Sequence, residues 1–153
     1  MGIKITDLYV NTVARGLLQP GEQLVARTSG QHQPWWSLQI PFLKHSYLLL
    51  VTSHRLIVVD HRKGLMHDRM DKVDSIPWSS IETAKLSGIG FTKKLLVKSP
   101  QVGKPIKMTI AGGFLSPKGN IDGAKAVVST WQQSRQLGAA PQYGALPPMQ
   151  PAY

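Results

Sequence analysis

Residues 47–60, YLLLVTSHRLIVVD, form the most apolar stretch of the chain, and Thr52, Ser53, His54 and Arg55 interrupt it at the centre. The interruption decides between a membrane span, a buried helix and two strands folded back on each other. A membrane helix needs ~20 consecutive apolar residues. Tyr47 to Val59 is only thirteen residues long and carries His54 and Arg55 inside it, so it cannot span. YLLLV and LIVV are short, leucine-rich or β-branched, and separated by the polar Thr52-Ser53 pair, which is the pattern of a β-hairpin. Thr-Ser is a weak turn former beside Asn-Gly, so pairing is expected to rest on burial of both strands. Both faces of each half are apolar. The sheet is therefore expected to be covered by the core on one side and by a helix or a partner on the other.

Working outward, the same punctuation continues. EQLVARTSG (22–30) follows the turn signal Pro20-Gly21, and KVDSIP (72–77), IETAKLSGIG (81–90), TKKLLVKS (92–99) and PIKMTIAG (105–112) are further strand candidates. Their connections carry the glycines, prolines and charges of meander turns. Six or seven short strands without intervening helices describe an antiparallel barrel or a pair of packed sheets. Two helices are expected to bracket them. In the first, Leu8, Tyr9, Val13 and Leu17 recur at helical spacing behind the cap Thr6. In the second, residues 122–137, Ala124, Val127, Val128 and Trp131 form one stripe, with Gly138 expected as the stop and Trp131 as a plug for an open barrel end.

The chain has 153 residues, of which 42% are hydrophobic and 17% charged, enough for one real core. It has no cysteine, which excludes thiolate metal sites and cysteine nucleophiles. The N-terminus lacks the apolar run and cleavage site of a secretory signal, so a cytoplasmic location is expected, with membrane-peripheral attachment as the alternative. Charge is distributed unevenly within the net +10. Residues 1–82 hold nine Lys or Arg against seven Asp or Glu, whereas residues 83–153 hold nine against Asp122 alone. Such a field attracts anionic lipid, nucleic acid or an acidic protein surface.

YLLLVTSHRLIVVD, the corner SIPWSSIETAKL, the lysine-rich hairpin after it and the C-terminal amphipathic helix together resemble bacterial pleckstrin-homology-like and GRAM domains. The resemblance covers roughly residues 20–137 and rests on Thr52, Arg55, Ile57-Val58-Val59, Pro77, Trp78 and Ile81. It implies a mainly β (α+β) fold: a seven-stranded bent antiparallel sheet or partly open barrel capped by the C-terminal helix. The N-terminal helix (1–19) and the Pro-rich tail (138–153) are additions to that domain (20–137). The resemblance also implies a binding module without catalytic groups.

Phosphoinositide readers of the wider superfamily use cations on the first two strands and the loop between them. Here that region offers Arg27 and Lys44, sparse for a polyphosphate pocket, and instead presents Trp35, Trp36, Leu38, Ile40, Phe42 and Leu43. PWWSLQIPFL has three readings: packing inside the domain, self-association, or insertion at a membrane headgroup layer. The candidate anion- or lipid-binding residues are Arg27, Lys44, Lys85, Lys93, Lys94, Lys98, Lys104 and Lys107. Lys94 and Lys98 fall on one face of their strand and Lys93 on the other, so the cluster is not expected to form a single aligned stripe. No aromatic stacking platform accompanies the lysines, and nucleic acid is disfavoured as a partner.

No catalytic constellation emerges. Asp60-His61 and His67-Asp68 flank a turn without a third ligand, so no metal is expected. Ser87-Gly88-Ile89-Gly90 lies between strands, where it makes a hairpin turn and not a phosphate loop. No cofactor is expected. The uncharged tail GAAPQYGALPPMQPAY cannot form a core, and Tyr143, Leu146, Met149 and Tyr153 are candidate anchors on another subunit. The expectation is therefore a non-enzymatic scaffold acting through protein contacts in a homo-oligomer or larger assembly. Peripheral binding to anionic membrane through the lysine-rich half is the alternative.

Overall fold

The computed structural model describes residues 6–32, 45–62, 69–113 and 118–139. Helix α1 (Asp7–Leu17) precedes four strands, β1 (Leu24–His32), β2 (His45–Thr52), β3 (Arg55–Arg62) and β4 (Arg69–Pro77). A single 3-10 turn, Trp78–Ser80, leads into β5 (Thr83–Ser87), β6 (Thr92–Lys98) and β7 (Ile106–Ala111), and α2 (Asn120–Ala139) follows. The strands form one antiparallel sheet in the order β4-β3-β2-β1-β7-β6-β5. Its midpoint is a weak seam: β1 and β7 share the single register pair Gln31↔Thr109. Two sub-sheets, β1–β4 and β5–β7, can thus bend across that seam and enclose a core between them.

The quoted stretch is a hairpin, with Tyr47 opposite Asp60 and Val51 opposite Leu56. The turn does not rely on a favourable dipeptide. Thr52 caps it by accepting the Arg55 N–H at 3.0 Å, and Ser53 N–H donates to Gln23 O at 3.0 Å. Alternation splits the hairpin between two cores. Leu49, Val51, Leu56 and Val58 face inward with Ile76, Trp78, Leu95, Val97, Met108 and Ile110. Leu48, Leu50, Ile57 and Val59 face outward, where Val10 and Ala14 of α1 cover them. The covering helix inferred from two apolar faces is α1. Tyr9, Val13 and Leu17 of the expected stripe pack against this core, Val10 and Ala14 are buried at its centre, and Leu8 alone of the expected set points away at 77% exposure. Burial of an aliphatic side chain contributes ~1.5–3 kcal/mol, so this second core is a substantial part of the fold.

Two polar assemblies fasten the helices. Near the end of α1, the buried Glu22 carboxylate accepts from Arg55 Nε at 2.9 Å and Nη2 at 3.0 Å, from the Thr52 hydroxyl at 2.5 Å and from Gln19 N–H at 2.9 Å. Arg55 Nη2 also donates to Leu17 O at 2.9 Å, so one guanidinium ties the helix end to the hairpin. At α2, Asn120 accepts the Ser29 N–H at 2.6 Å and donates to Ser29 O at 2.8 Å and Ala111 O at 3.0 Å. Asn120 is buried, and it thereby joins α2 to both β1 and β7. Further along, Gly123 presses on β1: a Cβ there would lie 1.7 Å from Arg27 O. Trp131, half-buried against the core, donates from Nε1 to Ile81 O at 2.9 Å and lies beneath the Arg135 guanidinium, which fits the expected plug. The helix continues through Gly138 to Ala139 and does not stop there. Trp78 closes the core on the hairpin side by donating to Thr52 O at 3.1 Å.

Candidate functional site

The two sub-sheets differ on their outer faces. Along β7 the buried residues Ile106, Met108 and Ile110 alternate with exposed Lys107, Thr109 and Ala111. Pairing carries that alternation across the strands: Lys107 lies opposite Leu96, which lies opposite Lys85. In the adjacent row Thr109 lies opposite Lys94, which lies opposite Ser87. Residues opposed across strands share a face, so Lys85, Lys94 and Lys107 project from one surface. Lys98 and Thr83 extend it in the next row. Neighbouring strands are ~4.8 Å apart and alternate residues ~7 Å, which sets Lys85, Lys94 and Lys107 roughly 8–10 Å from one another, near enough to act on one extended anionic surface.

These cations have little internal compensation. Lys98 meets Glu82 at 3.7 Å, but Lys85, Lys94 and Lys107 form no ion pair among the described residues. A shallow cleft of about 410 Å³ runs over this face and is lined by His32, Lys85, Ser87, Lys94, Leu96, Lys107 and Thr109. His32, at the β1 margin, has its pKa lowered by burial first, then by His45 and Lys107. The lining combines ammonium groups with hydroxyls, a donor set for phosphate or carboxylate oxygens.

Several candidate cations lie elsewhere. Lys93 has the opposite orientation to Lys94, and its ammonium donates to Gly88 O at 2.8 Å, tying down the β5–β6 turn. Arg27 is on β1 and is engaged by Asp7. Lys104 is exposed in the β6–β7 connection. Lys44 lies outside the described residues, as do Trp35, Trp36, Leu38, Ile40 and Phe42, His67-Asp68, and the tail anchors Tyr143, Leu146, Met149 and Tyr153. Within β6, Lys94 and Lys98 share a face as the alternation requires. The expectation that the cluster is not aligned holds for Lys93 and fails for the rest, because the register of the neighbouring strands adds Lys85 and Lys107 to the side of Lys94 and Lys98.

Glu22 is the polar residue that sequence reasoning passed over. Hydrogen bonds from Arg55 hold its carboxyl at a pKa of about 2 against the opposing effect of burial, with Gln19 N–H and the Thr52 hydroxyl adding to the lowering. Its position just after Pro20-Gly21, at the entry to an apolar strand, was the available signal. Its role is structural, since every contact it makes is internal.

The strand order, bent two-part sheet and closing C-terminal helix define a pleckstrin-homology-like fold, with α1 added on the outer face of β2 and β3. Among solved structures, the hSac2 domain from human phosphoinositide phosphatase Sac2 is similar at a TM-score of 0.55 and 10% identity, over 87% of this chain and 82% of that one. A pleckstrin homology domain from Shewanella amazonensis aligns at a TM-score of 0.48 and 17% identity, over 82% and 96% of the two chains. A DUF1696 family protein with a pleckstrin-homology domain from Shewanella loihica aligns at 0.45 and 12%, over 84% and 98%. No protein-family profile and no curated protein matches the chain. Among the described residues no helix is long and apolar enough to cross a membrane.

Proposed function

We propose that this protein is a non-catalytic binding module that docks on anionic membrane surfaces through the outer face of β5, β6 and β7. The observation that carries this reading is the alignment of Lys85, Lys94 and Lys107 on one exposed face without an acidic partner among the described residues. Each lysine near an anionic leaflet contributes ~1 kcal/mol, so three or four acting together suffice for reversible attachment. Nucleic acid is less well served, because the cleft is lined by Lys, Thr, Ser and Leu side chains with the His32 ring at one margin, and Phe91 at the adjoining turn is a single ring and not a row of them. Single-stranded nucleic acid binding relies on aromatic platforms on which bases stack.

Self-association, the first expectation from sequence, has weaker support. Part of the apolar surplus behind it is consumed within the chain, where α1 covers Leu48, Leu50, Ile57 and Val59. The test is cosedimentation with phosphatidylcholine vesicles with and without phosphatidylserine, at low and high salt. Binding should require the anionic lipid and weaken steeply with salt. Failure to bind anionic vesicles at low salt would refute the reading, as would equal binding to neutral ones.

A further inference from the structure

The β5–β6 turn, at one end of the lysine face, presents Ile89 at 95% exposure and Phe91 at 76%. One exposed apolar residue needs no explanation. Two such residues at the apex of a fixed turn beside a cationic face are different. Gly88 and Gly90 have φ of 107° and 68°, values in the left-handed region that glycine accepts without strain. Phe91 O accepts the Gly112 N–H at 2.6 Å, and Lys93 Nζ holds Gly88 O at 2.8 Å. The turn is thus pinned on both sides with its two apolar side chains turned outward. The other exposed apolar residues lack this setting. Leu8 and Leu137 stand singly on helices, Val25 stands singly on β1, and Met70 and Val73 on β4 lie among the pairs Arg62–Asp71 and Lys72–Asp74.

We propose that this turn is a membrane-insertion tip, in which Ile89 and Phe91 enter the acyl region of an anionic leaflet while Lys94, Lys85 and Lys107 engage its headgroups. The proposal rests on the membrane-docking reading above and assigns the depth and orientation of docking. Charge complementarity selects the occupant, since the surface continuous with the tip is cationic and bears hydroxyls. Spacing agrees. Lys94 is opposed to Ser87, two residues before Ile89, and each two-residue step along a strand is ~7 Å. A headgroup layer is about 5–8 Å deep, half the difference between the ~30 Å hydrocarbon core and the ~40–45 Å bilayer. When the tip lies below the acyl boundary, Lys94 is level with the headgroups and Lys85 and Lys107 are one row farther out. A turn already ordered before binding loses little conformational freedom on insertion.

The absence of cysteine allows a single environment-sensitive label to be placed at will. Ile89→Cys reports on the tip. Gln136→Cys is the control, since Trp131 bonds to Ile81 at the opposite end of β5. With phosphatidylserine-containing vesicles, the label at position 89 should shift to the blue and be quenched by acyl-chain nitroxide lipids, whereas the label at 136 should do neither. The double variant Ile89→Ser/Phe91→Ser should weaken vesicle binding roughly tenfold or more and leave its salt dependence and the unfolding midpoint unchanged. If the unsubstituted protein binds these vesicles but the tip label stays aqueous and the double variant binds equally well, insertion is wrong and the lysine face stands. If the unsubstituted protein does not bind anionic vesicles, both readings fall. A tip-dependent dimer, seen by light scattering as a lower mass for the double variant, would also overturn insertion.

Discussion

The two sub-sheets share one backbone ladder yet treat their outer faces in opposite ways. β2 and β3 bury both faces, with Leu48, Leu50, Ile57 and Val59 under α1 on the outside. β5 to β7 bury only one, and the other bears Lys85, Lys94, Lys98 and Lys107. The closed half therefore carries stability that the open half does not need, and the open half carries charge that the closed half would have to neutralise. Glu22 shows what neutralisation involves: a buried cation–anion pair with every carboxylate oxygen occupied. Nothing comparable restrains Lys85, Lys94 or Lys107 among the described residues, and their availability to a ligand follows from that difference.

The largest effect expected is from Glu22→Ala. Breaking a buried, hydrogen-bonded pair leaves its partner uncompensated, and such losses amount to about 3–5 kcal/mol. Arg55, Thr52 and the Gln19 N–H all lose an acceptor together. Urea unfolding measures the change. A loss too small to detect would break the comparison, because α1 would then be held by its apolar face alone.

Acid should produce the next effect. The Glu22 carboxyl is held at a pKa of about 2 against an ordinary 4.5. A carboxylate depressed in the folded state adds stability above its unfolded pKa and loses it as pH falls through the folded one. Stability should thus decline from about pH 4.5 toward pH 2, by an amount on the order of a few kcal/mol from this group. In Glu22→Gln, already less stable at neutral pH, that part of the acid slope should be absent. An unchanged slope would assign acid sensitivity to other carboxylates.

Gly123→Ala comes third and tests the fastening between α2 and β1. The added methyl would fall 1.7 Å from Arg27 O, a backbone atom that cannot swing aside. Overpacking of this kind typically costs about 1–3 kcal/mol. If thermal unfolding is unchanged, the helix must be able to retreat from the sheet, and the seam between the halves is looser than Asn120 and Gly123 suggest.

How much of this was legible follows from the range of the forces involved. The hairpin, its two buried faces and the SGIG turn are local patterns, readable because alternation and glycine chemistry act over a few residues. The Glu22–Arg55 clamp joins residues 33 positions apart, and Asn120 reaches Ser29 across 91, so neither had a periodic signal to betray it. The lysine face was half legible. Alternation within TKKLLVKS correctly separated Lys93 from Lys94 and Lys98, but only the register of three strands shows Lys85 and Lys107 joining the latter two. Strand content and polarity were in the residues, while the coincidence of cations was in the pairing.

The smallest effect on stability should come from changing the three lysines of this face that form no ion pair among the described residues, Lys85→Ala/Lys94→Ala/Lys107→Ala. Exposed substitutions away from packing or paired charges usually shift stability by no more than about 0.5 kcal/mol each, and removing mutual repulsion on this face works in the stabilising direction. Its effect on docking should be the reverse. Losing three lysines at ~1 kcal/mol each predicts a fall in affinity for anionic vesicles of roughly a hundredfold, with a flatter salt dependence. This variant separates the halves most sharply, because Glu22→Ala should lower stability without altering docking by the folded fraction, whereas the triple variant should do the opposite. If the triple variant unfolds early, the lysines serve the fold. If it remains stable and still binds anionic vesicles as before, the open face is not the binding surface.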